Sequence, residues 1–279
     1  MMEAVIEAVV DTLKIFPFLY VTYLLMEFIE HKLNKKFIKK ISNTKKYGPL
    51  VGGLLGIIPQ CGFSVSSSSL FASRIITMGT IIAIFLSTSD ETIPILLSNN
   101  VDIKVIGLLI ILKVIIAIIF GYIIDLLFRP KEEKISFNCE EEHCHCNENI
   151  FLASLKHSIN IIVFILIFNV IFNSIMSIMD LNNINFVISN SLLSKFLICL
   201  VSLIPNCVSS VFIAELFVNN TITFGTLLTG SLISSGLGLI VLFKQNKNIK
   251  ENIYILISLF IIAMLCGGIF DLFNFNIIS

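Results

Sequence analysis

The sequence predicts an all-α integral membrane protein of two inverted-topology repeats, with Pro-broken or re-entrant helices meeting near the midplane. Three observations lead there. The 279-residue chain is 56% hydrophobic and 14% charged, and its mean hydropathy is +0.95, far from the usage of an average soluble domain. A 31-residue motif occurs twice at a constant offset of 146 residues. Lysine and arginine mark opposite faces in the two copies.

The motif reads PQCGFSVSSSSLFASRIITMGTIIAIFLSTS over 59–89 and PNCVSSVFIAELFVNNTITFGTLLTGSLISS over 205–235. Twelve positions are identical, among them Pro59/Pro205, Cys61/Cys207, Ser64/Ser210, Thr77/Thr223, Gly79/Gly225 and Ser89/Ser235. Both copies break long apolar stretches with Pro, Cys, Ser, Thr and Gly. Paired interruptions in two halves of a membrane protein point to a transport site.

In chain order, MMEAVIEAVVDTLK is acidic and has neither a basic n-region nor a small-residue cleavage site. It reads as a retained first helix. Runs 5–29, 105–128, 158–179 and 252–273 are long enough to cross a bilayer, which takes about 20 residues. Segments 76–97 and 222–243 are apolar but dotted with small polar residues, as broken spans would be. Short pieces leading to Pro59 and Pro205, and back through 61–73 and 207–219, read as hairpins. Whether these hairpins are re-entrant or cross twice, each half crosses an odd number of times, as inversion requires.

Loop 31–48 carries seven lysines and no acid. By the positive-inside rule it is cytoplasmic, with the N-terminus outside. Its counterpart 180–195 is nearly free of positive charge and belongs outside. The next pair flips: 98–104 is charge-poor and 244–250 has three lysines. The expected organisation is repeat 1 over 1–128, a polar cytoplasmic linker over 129–150, and repeat 2 over 151–279.

The formal net charge is zero, so nothing suggests nucleic acid. The expected partners are lipid and a metal or metalloid ion, with a homo-oligomer left open. No phosphate-binding loop, metalloprotease helix or hydrolase motif occurs. The chain reads as a permease, not an enzyme, with no cofactor beyond a transported or loop-bound metal ion.

The candidate transport path is Pro59, Gln60, Cys61 and Ser64 with Pro205, Asn206, Cys207 and Ser210, joined by Ser87, Thr88 and Ser89. Proline frees backbone carbonyls in a membrane helix. Facing helix ends would aim partial charges at a midplane site, and two symmetry-related thiols suit a thiophilic ion. The bland alternative is a kinked helix with a packed cysteine.

Asp90 and Glu91 are the candidates for proton or cation coupling, since ionised acids inside a span are costly and mark ion paths. The second copy lacks them. Solvation at the outer surface is the alternative. The row Ser66 to Ser69 reads mainly as close helix packing. Glu215 is an ion ligand or an interfacial residue, and Lys113 pairs with an acid or snorkels.

Cys139, His143, Cys144, His145 and Cys146 crowd the linker in a spacing that matches no structural zinc motif. They read as a metal-capture segment or a plain linker.

The block GPLVGGLLGIIPQCGFS, followed by SRIITMGTIIAIFLSTSDETIPILLS, resembles the ten-helix heavy-metal exporter family. The start DTLKIFPFLYVTYLLMEFIEH and the Cys/His-rich linker are similar too, so the resemblance spans nearly the whole chain. Members carry the labels arsenic efflux protein or manganese transporter. The resemblance implies a bacterial-type inner-membrane permease. Cys61 and Cys207 favour an arsenite-like substrate, whereas the oxygens of Asp90, Glu91, Gln60 and Asn206 suit Mn²⁺. The competing reading is a membrane thiol–disulfide electron shuttle. In it Cys61 and Cys207 form a reversible disulfide, with Cys144 and Cys146 as the terminal dithiol.

Overall fold

The computed structural model describes residues 45–57, 61–88, 92–128, 192–204 and 207–272, with isolated helical positions within 16–24 and 151–167. The first spans expected at 5–29 and 158–179 are touched only at those isolated positions. The linker 129–150 lies outside the described residues.

Every regular element described is helical. After a 3-10 turn at Lys45–Tyr47 come α1 (Gly48–Leu55), α2 (Cys61–Ala72), α3 (Met78–Ser87), α4 (Thr92–Ser98) and α5 (Ile103–Leu127). The second half gives α6 (Leu192–Ser202), α7 (Cys207–Val218), α8 (Phe224–Ile233), α9 (Gly238–Gln245) and α10 (Ile249–Leu272). Each of α2 to α5 thus has a counterpart about 146 residues on, in α7 to α10.

Local chemistry explains the boundaries. Pro49 sits in the first turn of α1, where its missing N–H costs nothing. α2 and α7 end alike. Arg74 and Asn220 take left-handed φ values of 61° and 54°. Ile75 N–H then reaches Leu70 O, and Thr221 N–H reaches Leu216 O. Such caps satisfy carbonyls that the last turn leaves orphaned. Arg74 also makes an ion pair to Glu251 at 2.7 Å. Thr77 and Thr223 cap α3 and α8 by accepting from Thr80 N and Thr226 N. Asp102 caps α5, so this span starts at Ile103, two residues earlier than its apolar run.

Among the described residues, four stretches are long and apolar enough to cross a membrane: Met78–Ser98, Ile103–Leu127, Phe224–Gln245 and Ile249–Leu272. The protein is therefore a multi-pass membrane protein. The interrupted stretches are 73% and 89% buried, against 33% for each continuous one, so the interrupted pair forms the centre. α5 and α10 flank it with one apolar face outward. Ile111, Ile115 and Ile119 are exposed on α5, as are Ile257, Ile261 and Leu265 on α10. Apolar stripes on helices of this length suit contact with lipid.

Packing between the halves is reciprocal. α2 of the first half packs on α9 of the second, α7 of the second packs on α4 of the first, and α3 meets α8. Within each half, α3 lies against α5 and α8 against α10. Glycines bring these last pairs together. A Cβ on Gly79 would strike Gly121 O and the Asp125 carboxylate, and one on Gly225 would strike Gly267 O and the Asp271 carboxylate. Small residues permit this approach where no hydrophobic force drives helices together in lipid.

Candidate functional site

The site is the region where the two interrupted spans stop. α3 ends at Ser87, and Thr88 turns extended at φ −60°, ψ 131°; α4 resumes at Thr92. α8 ends at Ile233, and α9 resumes at Gly238. Between them Gly236 takes φ 54°, a conformation that glycine adopts without the Cβ penalty.

Hydroxyl groups collect at these ends. Thr88 Oγ1 donates to Ile84 O at 2.7 Å, and Ser87 Oγ lies 2.9 Å from Ala83 O. Ser210 Oγ of α7 and Ser234 Oγ at the second break share a 2.6 Å hydrogen bond. Ser68 Oγ sits 2.9 Å from Ser64 O and 2.7 Å from Gly238 O, which fastens α2 to the start of α9. A Cβ on Gly238 would meet Ser64 and Phe85. Among the described residues, two buried side-chain oxygens have no hydrogen-bond partner, Ser66 Oγ and Ser235 Oγ.

One cation sits among them. Lys113 is fully buried and lies near the middle of α5. Its Nζ donates to Thr88 O at 2.5 Å and to Ser231 O at 2.6 Å. Those carbonyls belong to the ends of α3 and α8, where helix carbonyls lack intrahelical partners and carry the negative end of the dipole. A single ammonium therefore joins the C-terminal ends of both central helices, one from each half. The equivalent residue of α10 is Leu259, also fully buried.

The opposite ends of α3 and α8 are held by carboxylates. Asp125 Oδ2 accepts from Thr77 Oγ1 at 2.7 Å, and its Oδ1 from Gly79 N at 2.7 Å. Asp271 repeats both bonds with Thr223 Oγ1 at 2.9 Å and Gly225 N at 3.1 Å. Acids are favoured at helix N-termini by the dipole and by the orphaned N–H groups. Asp271 adds an ion pair to Lys195 at 2.8 Å.

With that geometry in place, residues 1–160 match the sequence model of a family described as "Putative, 10TM heavy-metal exporter". The chain belongs to this 10TM heavy-metal exporter family. The match ends before most of the second repeat, short of the near-complete span the resemblance suggested. No curated protein and no solved structure matches the chain.

Several of the expected site residues of this exporter-family chain lie outside the described residues: Pro59, Gln60, Pro205, Asn206, Ser89, Asp90 and Glu91, and in the linker Cys139, His143, Cys144, His145 and Cys146. Cys61 and Cys207 are the first residues of α2 and α7. Ser64, Ser87, Thr88 and Ser210 are placed, and all four are buried. Glu215 is exposed on α7. Among the described residues no group of three or more His, Cys, Asp or Glu could hold a metal ion.

Two features escaped the reading of the sequence. Asp125 and Asp271 were not singled out, although the repeat continues through Gly121-x-x-x-Asp125 and Gly267-x-x-x-Asp271. Two hydrogen bonds of Lys113 go to backbone carbonyls, which leave no mark in a sequence.

Proposed function

We propose that the protein exports a heavy metal or metalloid across the cell's inner membrane, arsenic-type first and manganese second. Transport is driven by an ion gradient and alternates access at the paired Pro-x-Cys breaks. The observation that carries this reading is the reciprocal meeting of two interrupted, buried spans in a chain of the exporter family. Half-helix ends at the middle of a membrane are a recurring means of holding a solute while the surrounding bundles rock.

An inverted relation between the halves is supported by the Arg74–Glu251 ion pair. It sets the residues just before α3 beside the residues that start α10, so α9 ends on the face where α3 begins. By the lysine distribution that face is cytoplasmic. Cys61 and Cys207 supply soft ligands for a trivalent metalloid. Asp90 and Glu91 couple the movement to protons. The linker Cys/His cluster captures metal on the cytoplasmic side.

Everted membrane vesicles containing the protein, given an acid interior, are expected to accumulate arsenite, with Mn²⁺ and Zn²⁺ as parallel probes. Cys61→Ser/Cys207→Ser is expected to lower arsenite uptake at least tenfold, a loss of about 1.4 kcal/mol or more, because both soft ligands are gone. Full arsenite resistance in that double variant removes the thiol role. Undiminished export by Asp90→Asn/Glu91→Gln removes their coupling role. No flux of any of the three ions contradicts the exporter reading itself.

A further inference from the structure

We propose that Lys113 is a coupling residue of the transport cycle. Its ammonium latches the ends of α3 and α8 together in this state, and loss of its proton to the aqueous path releases them. The proposal rests on the exporter reading and adds to it a residue outside the repeated motif.

The environment of Lys113 is what suggests the role. α5 buries a stripe at Val105, Leu109, Lys113, Ile116 and Ile124, and α10 buries the matching stripe at Ile255, Leu259, Ile262 and Cys266. Four of the five residues on the first stripe are apolar, and the fifth is a lysine. An ionised side chain at mid-membrane is disfavoured by several kcal/mol unless it is compensated. Two orphaned carbonyls, at the negative dipole ends of two helices, contribute to that compensation here. A pair of half-helix C-termini is a cation-favouring position, and the tethered ammonium occupies it.

Three properties make the latch switchable. Lysine, unlike arginine, is able to exist as a neutral side chain in a protein. The neutral amine keeps two donors but loses the charge that strengthens both bonds and engages both dipoles. The two carbonyls come from different halves, so weakening the bonds loosens one half from the other. A purely structural staple needs no residue able to titrate, and the equivalent position in the second half does without one.

α1, α3, α4 and α8, which pack on α5, carry no titratable group in their described residues. On α5 itself Lys104, Tyr122 and Asp125 lie nine or more positions away; that is about 13 Å along the axis at 1.5 Å per residue. Asp90 and Glu91 follow Thr88 closely in sequence and are outside the described residues.

In the exchange, the protonated form predominates while the path is empty and open to the proton-rich side. Entry of substrate from the opposite side is accompanied by departure of the Lys113 proton to that side. The return step restores the proton. No bond other than N–H is made or broken.

The test uses the full-length protein in proteoliposomes, with arsenite, Mn²⁺ and Zn²⁺ supplied singly. Wild-type protein is expected to drive net flux with a pH gradient and also to exchange internal for external substrate without one. Lys113→Met is expected to lower gradient-driven flux about tenfold or more, a coupling of ordinary allosteric size, while exchange persists. Lys113→Arg is expected to lower both gradient-driven flux and exchange, because its permanent charge keeps the latch closed. Gradient-driven flux retained in both variants overturns the proposal. So does wild-type flux that ignores the pH gradient, a measurement that needs no variant to fold. Loss of coupling in Asp90→Asn/Glu91→Gln with none in Lys113→Met assigns coupling to the acids and overturns the role of the lysine. Absence of any wild-type flux overturns the exporter reading, and this proposal with it.

Discussion

Gly79→Val and Gly225→Val are each expected to leave little folded protein in the membrane. A Cβ at Gly79 runs into the Gly121 carbonyl and the Asp125 carboxylate, and one at Gly225 into their counterparts Gly267 and Asp271. These obstacles are backbone or a capping group already fixed by two hydrogen bonds. The helices must separate, and the valine must also break the cap. Overpacking of a tight core costs about 1–3 kcal/mol, and loss of cap hydrogen bonds adds about 1 kcal/mol each.

Gly107 and Gly268 lie in the same long spans with nothing within 4 Å of an added Cβ. Their alanine variants are expected to be neutral or more stable by up to about 1 kcal/mol, since alanine loses less conformational freedom in a helix. Thermal midpoints of the detergent-solubilised variants, followed by gel filtration, separate the two classes. Equal behaviour of Gly79 and Gly107 variants contradicts the packing described.

Asp271→Asn is expected to destabilise more than Asp125→Asn, although the two acids make the same cap. Asp125→Asn weakens charge-assisted bonds to Thr77 and Gly79, worth about 1–2 kcal/mol together. Asp271→Asn does the same to Thr223 and Gly225 and also strands Lys195. That lysine's side chain is only 8% exposed and lies 2.8 Å from Asp271 Oδ2. Removing one partner of a largely buried pair costs about 3 kcal/mol or more, because the remaining charge stays uncompensated. Lys195→Met in the Asp271→Asn background is expected to recover part of the loss. A double-mutant cycle with no coupling between the two positions contradicts the pairing.

The architecture was legible in the sequence because it is written in side-chain character. A duplicated motif, apolar runs of bilayer length and small polar residues inside two of them gave the central broken spans to within about two residues at each boundary. The boundary shifts have identifiable causes, such as Asp102 capping α5 before its apolar run begins.

The candidate site was legible only where side chains carry the signal. Ser210 recurs between the copies, and it bonds Ser234 at the break. The role of Lys113 depends on two carbonyls supplied by helices 25 and 118 residues away. Any sequence that ended α3 and α8 there would offer those carbonyls. The Asp125 and Asp271 caps failed to register for another reason. They lie 48 residues beyond their threonines, outside the stretch where the copies align densely, although both acids keep the same offset.

The central claim is that the two halves enter the membrane from opposite sides and exchange their hairpin helices across the middle. Single cysteines at Ser73, Asn100, Asn220 and Lys247, in a background without the native cysteines, test it directly with a membrane-impermeant maleimide on intact cells. The account predicts labelling at positions 100 and 220 from outside, and at 73 and 247 only after permeabilisation. Labelling of positions 73 and 220 from the same side would contradict it.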